Sequence, residues 1–103
     1  MTPEGKVKKQ IRDWLKEIGA YEFAPVQMGL GARTLDILCC VKGRFVGIEV
    51  KRPGVNSPSK LQALCILAIT KAGGLAFTTN SLERTKDYIM QHALHQYNPE
   101  TGE

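Results

Sequence analysis

Two acids and a lysine could do chemistry together in this chain. Asp36, Glu49 and Lys51 lie in two apolar, β-branched-rich runs, residues 34–41 and 44–51, separated only by Lys42-Gly43. A two-residue connection between such runs is the signature of a tight hairpin, and it fixes the register. With Val41 opposite Arg44, Cys40 faces Phe45, Leu38 faces Gly47 and Asp36 faces Glu49. Side chains alternate between faces, so Lys51 points the same way as Glu49, whereas Val46, Ile48 and Val50 point to the other face. Two carboxylates are thereby held roughly 5 Å apart at Cβ in apolar surroundings, which is destabilising unless a cation joins them. A divalent metal together with the Lys51 ammonium meets that need, and so does a plain salt-bridged trio on an exposed hairpin. Leu38, Cys40 and Phe45 share the face of the acids and predict that it is buried, which favours the metal.

The elements that must position these residues can be read from pattern and punctuation. Thr2-Pro3-Glu4 starts a helix, with Thr2 as N-cap and Pro3 at the first helical position; it runs to about Ile18 and stops at Gly19. Its buried stripe is Val7, Ile11, Trp14, Leu15 and Ile18, with Lys8, Lys9, Arg12 and Lys16 opposite. Glu4 extends that stripe by one turn, so it either reaches the acidic centre or complements the helix dipole and pairs with Lys8. Residues 21–28 form a first strand, broken or at an edge because Pro25 has no N–H to donate. After the hairpin, Ser57 is the expected N-cap and Pro58 opens a helix that continues to Ala72. This helix is apolar nearly all round from Leu61 to Ile69, which predicts deep packing against the sheet. Gln62 near its start then needs a polar partner. Gly73-Gly74 ends the helix and residues 75–79 form a short strand. A last helix, 82 to about 96, is capped by Asn80 or Ser81, with Asn80 and Glu83 spaced as a capping box. The order is α-β-β-β-α-β-α. The strand-helix-strand crossover makes the sheet mixed, with helices flanking it.

At 103 residues the chain is a single-domain length. An apolar content of 43% is ordinary for a soluble protein, and no run approaches the ~20 apolar residues of a membrane span. The first nine residues lead into an amphipathic pattern rather than the apolar stretch of a signal peptide, which places the protein in the cytoplasm. Three cysteines, two of them adjacent, make no disulfide framework and read as small buried hydrophobes. A net charge of +4 favours an anionic partner such as nucleic acid without demanding one.

Gly31, Asp36-Ile37-Leu38, the run from Phe45 through Glu49-Val50-Lys51, Ser57 to Gln62 and the Ala72-Gly73-Gly74 turn together resemble the VRR-NUC branch of the PD-(D/E)xK nuclease superfamily. The resemblance covers nearly the whole chain and implies a restriction-endonuclease-like core. It makes Asp36, Glu49 and the Val50 carbonyl metal ligands and Lys51 the residue that orients or activates an attacking water. Gln62 resembles a glutamine that the branch carries on the helix after E-x-K, and Glu4 resembles its acid on the first helix. Leu35 stands where the name-giving proline usually precedes the acid. The implied chemistry is metal-assisted phosphodiester hydrolysis leaving a 5′-phosphate and a 3′-hydroxyl. Hard oxygen ligands suit Mg²⁺ or Mn²⁺, which keep positions open for water and a phosphate oxygen. Small stand-alone, phage-type members of the branch imply a homodimer acting on branched DNA such as four-way junctions, in a bacterial or phage-infected host cell.

Arg33, Arg52 and Lys60 flank the proposed centre and are candidate contacts to the DNA backbone, as is the stripe of Lys8, Lys9 and Arg12, which reads equally as a solvated face. His92 and His95 are spaced to pinch a metal but lack a third ligand nearby. Three functions are therefore in play: a structure-selective endonuclease, a catalytically silent DNA-binding module on the same fold, and a nuclease subunit active only within a replication or repair assembly. An exposed apolar patch on a helix or on the first strand would favour the last of these.

Overall fold

The computed structural model describes residues 1–26 and 34–93. Within them run α1 (Pro3–Glu17), β1 (Tyr21–Phe23), β2 (Ile37–Val41), β3 (Arg44–Val50), α2 (Lys60–Lys71), β4 (Leu75–Thr79) and α3 (Leu82–His92). The sheet order is β1-β2-β3-β4, antiparallel across the first two pairings and parallel between β3 and β4. Lys42 and Gly43 both adopt positive φ, 51° and 83°, as a two-residue turn matched to strand twist requires. The resulting register is the expected one, Val41 against Arg44 through Leu38 against Gly47.

One face of the sheet is sealed. The N-cap hydroxyl of Thr2 accepts from the Gly5 N–H, Pro3 opens α1, and Gly19 at φ 82° follows its end. The helix lays Val7, Ile11 and Leu15 onto Ile37, Cys39 and Ile48, and Ile89 of α3 closes the same core. On the opposite face α2 lies over β3 and β4. A Cβ on Gly47 would stand 2.9 Å from Ile69 Cδ1 and 3.0 Å from Leu35 Cδ1, so only glycine lets α2 settle this close to β3. Leu35 is fully buried beneath that contact.

Several boundaries differ from expectation. β1 ends at Phe23, before Pro25, and residues 27 and 28 of the expected strand lie outside the described residues. β2 begins at Ile37 rather than at position 34, which leaves Asp36 in a bend just ahead of the ladder. The second helix is capped by Ser59, not Ser57, because only Ser59 has a partner three residues on to complete a capping box. The last helix is capped by Ser81; Asn80 instead donates to the Val55 carbonyl, so the Asn80–Glu83 box does not form. That helix ends at His92, and positions 94–96 lie outside the described residues.

The largest correction concerns burial. No side chain of α2 is buried, and on the sheet face below, Phe45 and Cys40 are exposed and Leu38 is only half-buried. Four strand axes spaced ~4.8 Å span roughly 14 Å, whereas one helix is about 10 Å across and shields little more than two strands. An apolar helix reads as buried from sequence because composition does not say how many layers cover it.

Candidate functional site

At the end of the hairpin far from its turn, the side chains of Asp36, Glu49, Lys51 and Gln62 converge. Asp36 is anchored from outside the ladder: its Oδ2 accepts the Val50 N–H at 2.9 Å, which ties the acid to the strand that carries Glu49. This bond replaces a ladder pairing at that position and still sets the two carboxyls side by side. Glu49 is 4% exposed. Lys51 is held by its own N–H, which donates to the Thr79 carbonyl at 2.8 Å and extends the β3–β4 pairing by one residue. Its ammonium lies 3.8 Å from Glu49 Oε2.

Gln62 organises the group. Its Nε2 donates to Glu49 Oε2 at 2.8 Å, while its Oε1 accepts from Lys51 Nζ at 2.8 Å and from the Ser59 N–H at 2.8 Å. The Gln62 N–H donates back to Ser59 Oγ at 3.2 Å, closing the capping box. One amide therefore starts the helix, orients the lysine and holds the acid. The Ser59-x-x-Gln62 spacing carried that signal in the sequence; Ser57 followed by Pro58 drew attention from it. Thr34, Leu61 and Cys65, which sequence reasoning did not single out, complete the lining of a cleft of about 220 Å³ around Asp36, Glu49 and Gln62.

The electrostatics of the cleft are unbalanced. Burial, reinforced by the neighbouring Asp36 charge and a hydrogen bond shared with it, pushes the Glu49 carboxyl up to about 8, and the Lys51 ammonium offsets this only in part. Asp36 and Glu49 present hard oxygen donors to a space where negative charge is under-compensated, which fits a divalent cation held by one or two carboxylates and otherwise by water. No cluster of three or more His, Cys, Asp or Glu side chains occurs among the described residues.

The remaining candidates scatter. Glu4 is exposed in the first turn of α1, a helix that covers the sheet face opposite to Gln62, and makes no hydrogen bond or ion pair with the centre. Arg12 is committed to Glu22 at 2.6 Å and Lys9 to Asp13 at 2.7 Å, and Lys8 lies on the same helix. Arg52 is exposed on the segment that links β3 to α2, next to Lys51, and Lys60 is exposed at the first position of α2, next to Ser59. Arg33 and His95 lie outside the described residues. The ring of His92 lies 4.4 Å from that of Tyr88, and its carbonyl accepts from Arg44.

No family model matches the chain, and no curated protein matches it. A solved structure described as a VRR_NUC domain superposes with a TM-score of 0.75 at 22% sequence identity, over 90% of this chain and 99% of that one. The likeness establishes the fold, a mixed four-stranded sheet with flanking helices of the restriction-endonuclease-like kind.

Proposed function

We propose that this chain is a metal-dependent endodeoxyribonuclease that hydrolyses phosphodiester bonds, selective for branched DNA such as four-way junctions and acting as a homodimer. The observation that carries the reading is Asp36 and Glu49 together in one cleft with Gln62, whose amide holds Glu49 on one side and the Lys51 ammonium on the other. Asp36, Glu49 and the Val50 carbonyl would hold Mg²⁺ or Mn²⁺. When bound, the ion lowers the pKa of water and offsets charge on the phosphoryl group. The protein supplies the rest. The Lys51 ammonium, beside Glu49 and Gln62, would orient the attacking water or a non-bridging phosphate oxygen. Gln62 keeps that ammonium in place and fixes the Glu49 carboxyl. Arg52, next to Lys51, and Lys60, next to Ser59, would take adjacent backbone phosphates, contacts that position without reading sequence.

Incubating the protein with a labelled four-way junction or a matched linear duplex, in Mg²⁺, Mn²⁺ or EDTA, tests the reading. Cleavage should require metal, favour the junction and vanish in Lys51→Ala. Tight DNA binding without metal-dependent cutting of any DNA form would leave the silent binding module in its place. The exposed apolar surface on α2 and β1 gives a second reading some weight, that of a nuclease active only when seated on another subunit.

A further inference from the structure

Among the described residues the sheet ends in β1 on one side and β4 on the other, and the two edges are treated differently. β1 is three residues long, turns the charge of Glu22 inward onto Arg12 and is followed by Pro25, each a device that keeps a further strand from pairing there. β4 has five residues, Leu75-Ala76-Phe77-Thr78-Thr79, with no charge, proline or break in register. Because the Lys51 N–H donates to the Thr79 carbonyl, Thr79 turns its peptide groups toward β3. Peptide groups alternate in direction along a strand, so the N–H and C=O of half-buried Thr78 turn outward. Among the described residues none hydrogen-bonds to them. A groove of about 230 Å³ runs between this edge and α3, with Phe77 and Thr78 on one side and Arg84 and Tyr88 on the other. The Tyr88 ring, 38% exposed, stacks on Phe77 with centroids 4.3 Å apart. Arg84 stands one turn before it and has no ion-pair partner among the described residues. Asp87 lies about 60° further round α3 from Arg84, on the side away from Tyr88, so the charge nearest the strand edge is the guanidinium.

We infer that this groove takes an extended peptide segment of another protein, added antiparallel to β4 as a further strand of the sheet. An outward N–H and C=O on one residue are answered together by one residue of an antiparallel strand, and an antiparallel strand at the edge of a parallel pair is a common arrangement. The peptide residue opposite Thr78 exchanges both hydrogen bonds with it, and its side chain shares the α2 face with that of Thr78. The residues before and after it lie opposite Thr79 and Phe77 and point to the α3 face. Residues four apart on a helix are ~6 Å apart along its axis, and residues two apart on a strand ~6.6 Å. Arg84 and Tyr88 are therefore spaced to meet those two side chains. Charge and apolarity then fix both pattern and direction. An acid lies opposite Thr79 beside Arg84, any residue opposite Thr78, and an apolar residue opposite Phe77 on the Tyr88 ring. From the peptide's N-terminal side the order is acid, any residue, apolar residue. The groove is separate from the cleft, and the inference holds whether or not the cleft cuts DNA.

Titrating the isotope-labelled full chain with an acetylated, amidated seven-residue peptide centred on glutamate-threonine-leucine tests the inference by nuclear magnetic resonance. Binding should appear with a Kd on the order of 100 μM and shift the amides of β4 and of the Arg84 and Tyr88 flank of α3. The Thr78 amide should exchange with deuterium at least tenfold more slowly in the complex. N-methylation of the peptide's central amide, the donor to the Thr78 carbonyl, should weaken binding at least tenfold, whereas N-methylation of the amide on either side, which points away from β4, should change it little. These controls leave the protein unaltered. Arg84→Glu, at an exposed position, should lose affinity for the glutamate peptide at least tenfold and regain it toward a peptide with lysine in that place. Absence of binding at about 1 mM peptide overturns the inference. So do shifts that map to α1 or to the cleft instead of β4, the same shifts produced by single-stranded DNA, equal losses from all three N-methylated peptides, or equal affinity for the reversed order, leucine-threonine-glutamate.

Discussion

The two faces of one strand show how differently this sheet is used. On β3, Val46, Ile48 and Val50 point into a sealed layer built by α1 and α3, an apolar cluster whose buried polar neighbours, Thr79 and Thr85, are hydrogen-bonded to each other. Gly47 and Glu49 point the other way, under a single helix none of whose side chains is buried. A charged pair bordering the sealed face is fully answered: Glu22 has Arg12 at 2.6 Å and Lys16 at 3.6 Å. On the open face Glu49 has a carboxylate for a neighbour, an ammonium at 3.8 Å and an amide at 2.8 Å, and its carboxyl is pushed up to about 8. One face supplies stability. The other holds an electrostatic deficit in place, and a deficit held rigidly is what a cation site needs before the cation arrives.

Adjacent residues separate these roles most sharply. Ile48→Ala, at a fully buried position, should cost about 3–5 kcal/mol of stability by chemical denaturation, the usual toll of a large-to-small change in a packed core. It should leave catalysis by the folded fraction near normal. Glu49→Gln should do the reverse: folding unharmed, cleavage down at least ~10³-fold, about 4 kcal/mol of transition-state stabilisation. Similar stability losses for the two variants would mean that the faces are not specialised as described.

Gln62→Ala sits between those extremes because the amide serves both purposes. Loss of the capping-box partner should cost about 1 kcal/mol in thermal or urea unfolding. Release of the Lys51 ammonium should lower kcat roughly 10–100-fold, with little change in KM for DNA. A variant that binds DNA more weakly but turns over normally would recast Gln62 as a substrate contact.

How much of this was legible in the sequence follows the same division. The hairpin register came from two residues, Lys42 and Gly43, because a short turn leaves the chain no freedom. From that register the side-by-side placement of Asp36, Glu49 and Lys51 could be worked out before any coordinate. The sealed face was equally legible, since Val7, Ile11 and Leu15 keep strict helical spacing. The open face was not. Leu61, Leu64 and Leu67 read as core, since periodicity records an apolar surface but not what covers it, and here among the described residues nothing does. Local competition hid the rest: Ser57 against Ser59, and Asn80 against Ser81, are each chemically able to cap, and tertiary partners such as Val55 for Asn80 decide. The Asp36–Val50 bond was beyond reach, because a side chain accepting from the opposite strand leaves no mark on sequence periodicity.

The response to pH is the effect most diagnostic of the deficit on the open face. Glu49 has a folded-state pKa of about 8 against an ordinary carboxyl value of 4.5, so at intermediate pH the folded protein keeps a proton that the unfolded chain releases. Stability from this group is fully present below about pH 4.5 and is lost as pH rises toward 8, above which both states are ionised and the slope disappears. In metal-free buffer the melting temperature should therefore fall by several °C between pH 5 and 8 relative to Glu49→Gln, whose own curve removes the contribution of every other titrating group. A divalent cation binds only the ionised form, so Mg²⁺ or Mn²⁺ should restore the wild-type protein most at pH 8 and least at pH 5, and should leave Glu49→Gln almost unmoved. Parallel curves for the two proteins, with or without metal, would show that Glu49 is already balanced within the fold and that the contrast between the two faces of β3 is one of packing alone.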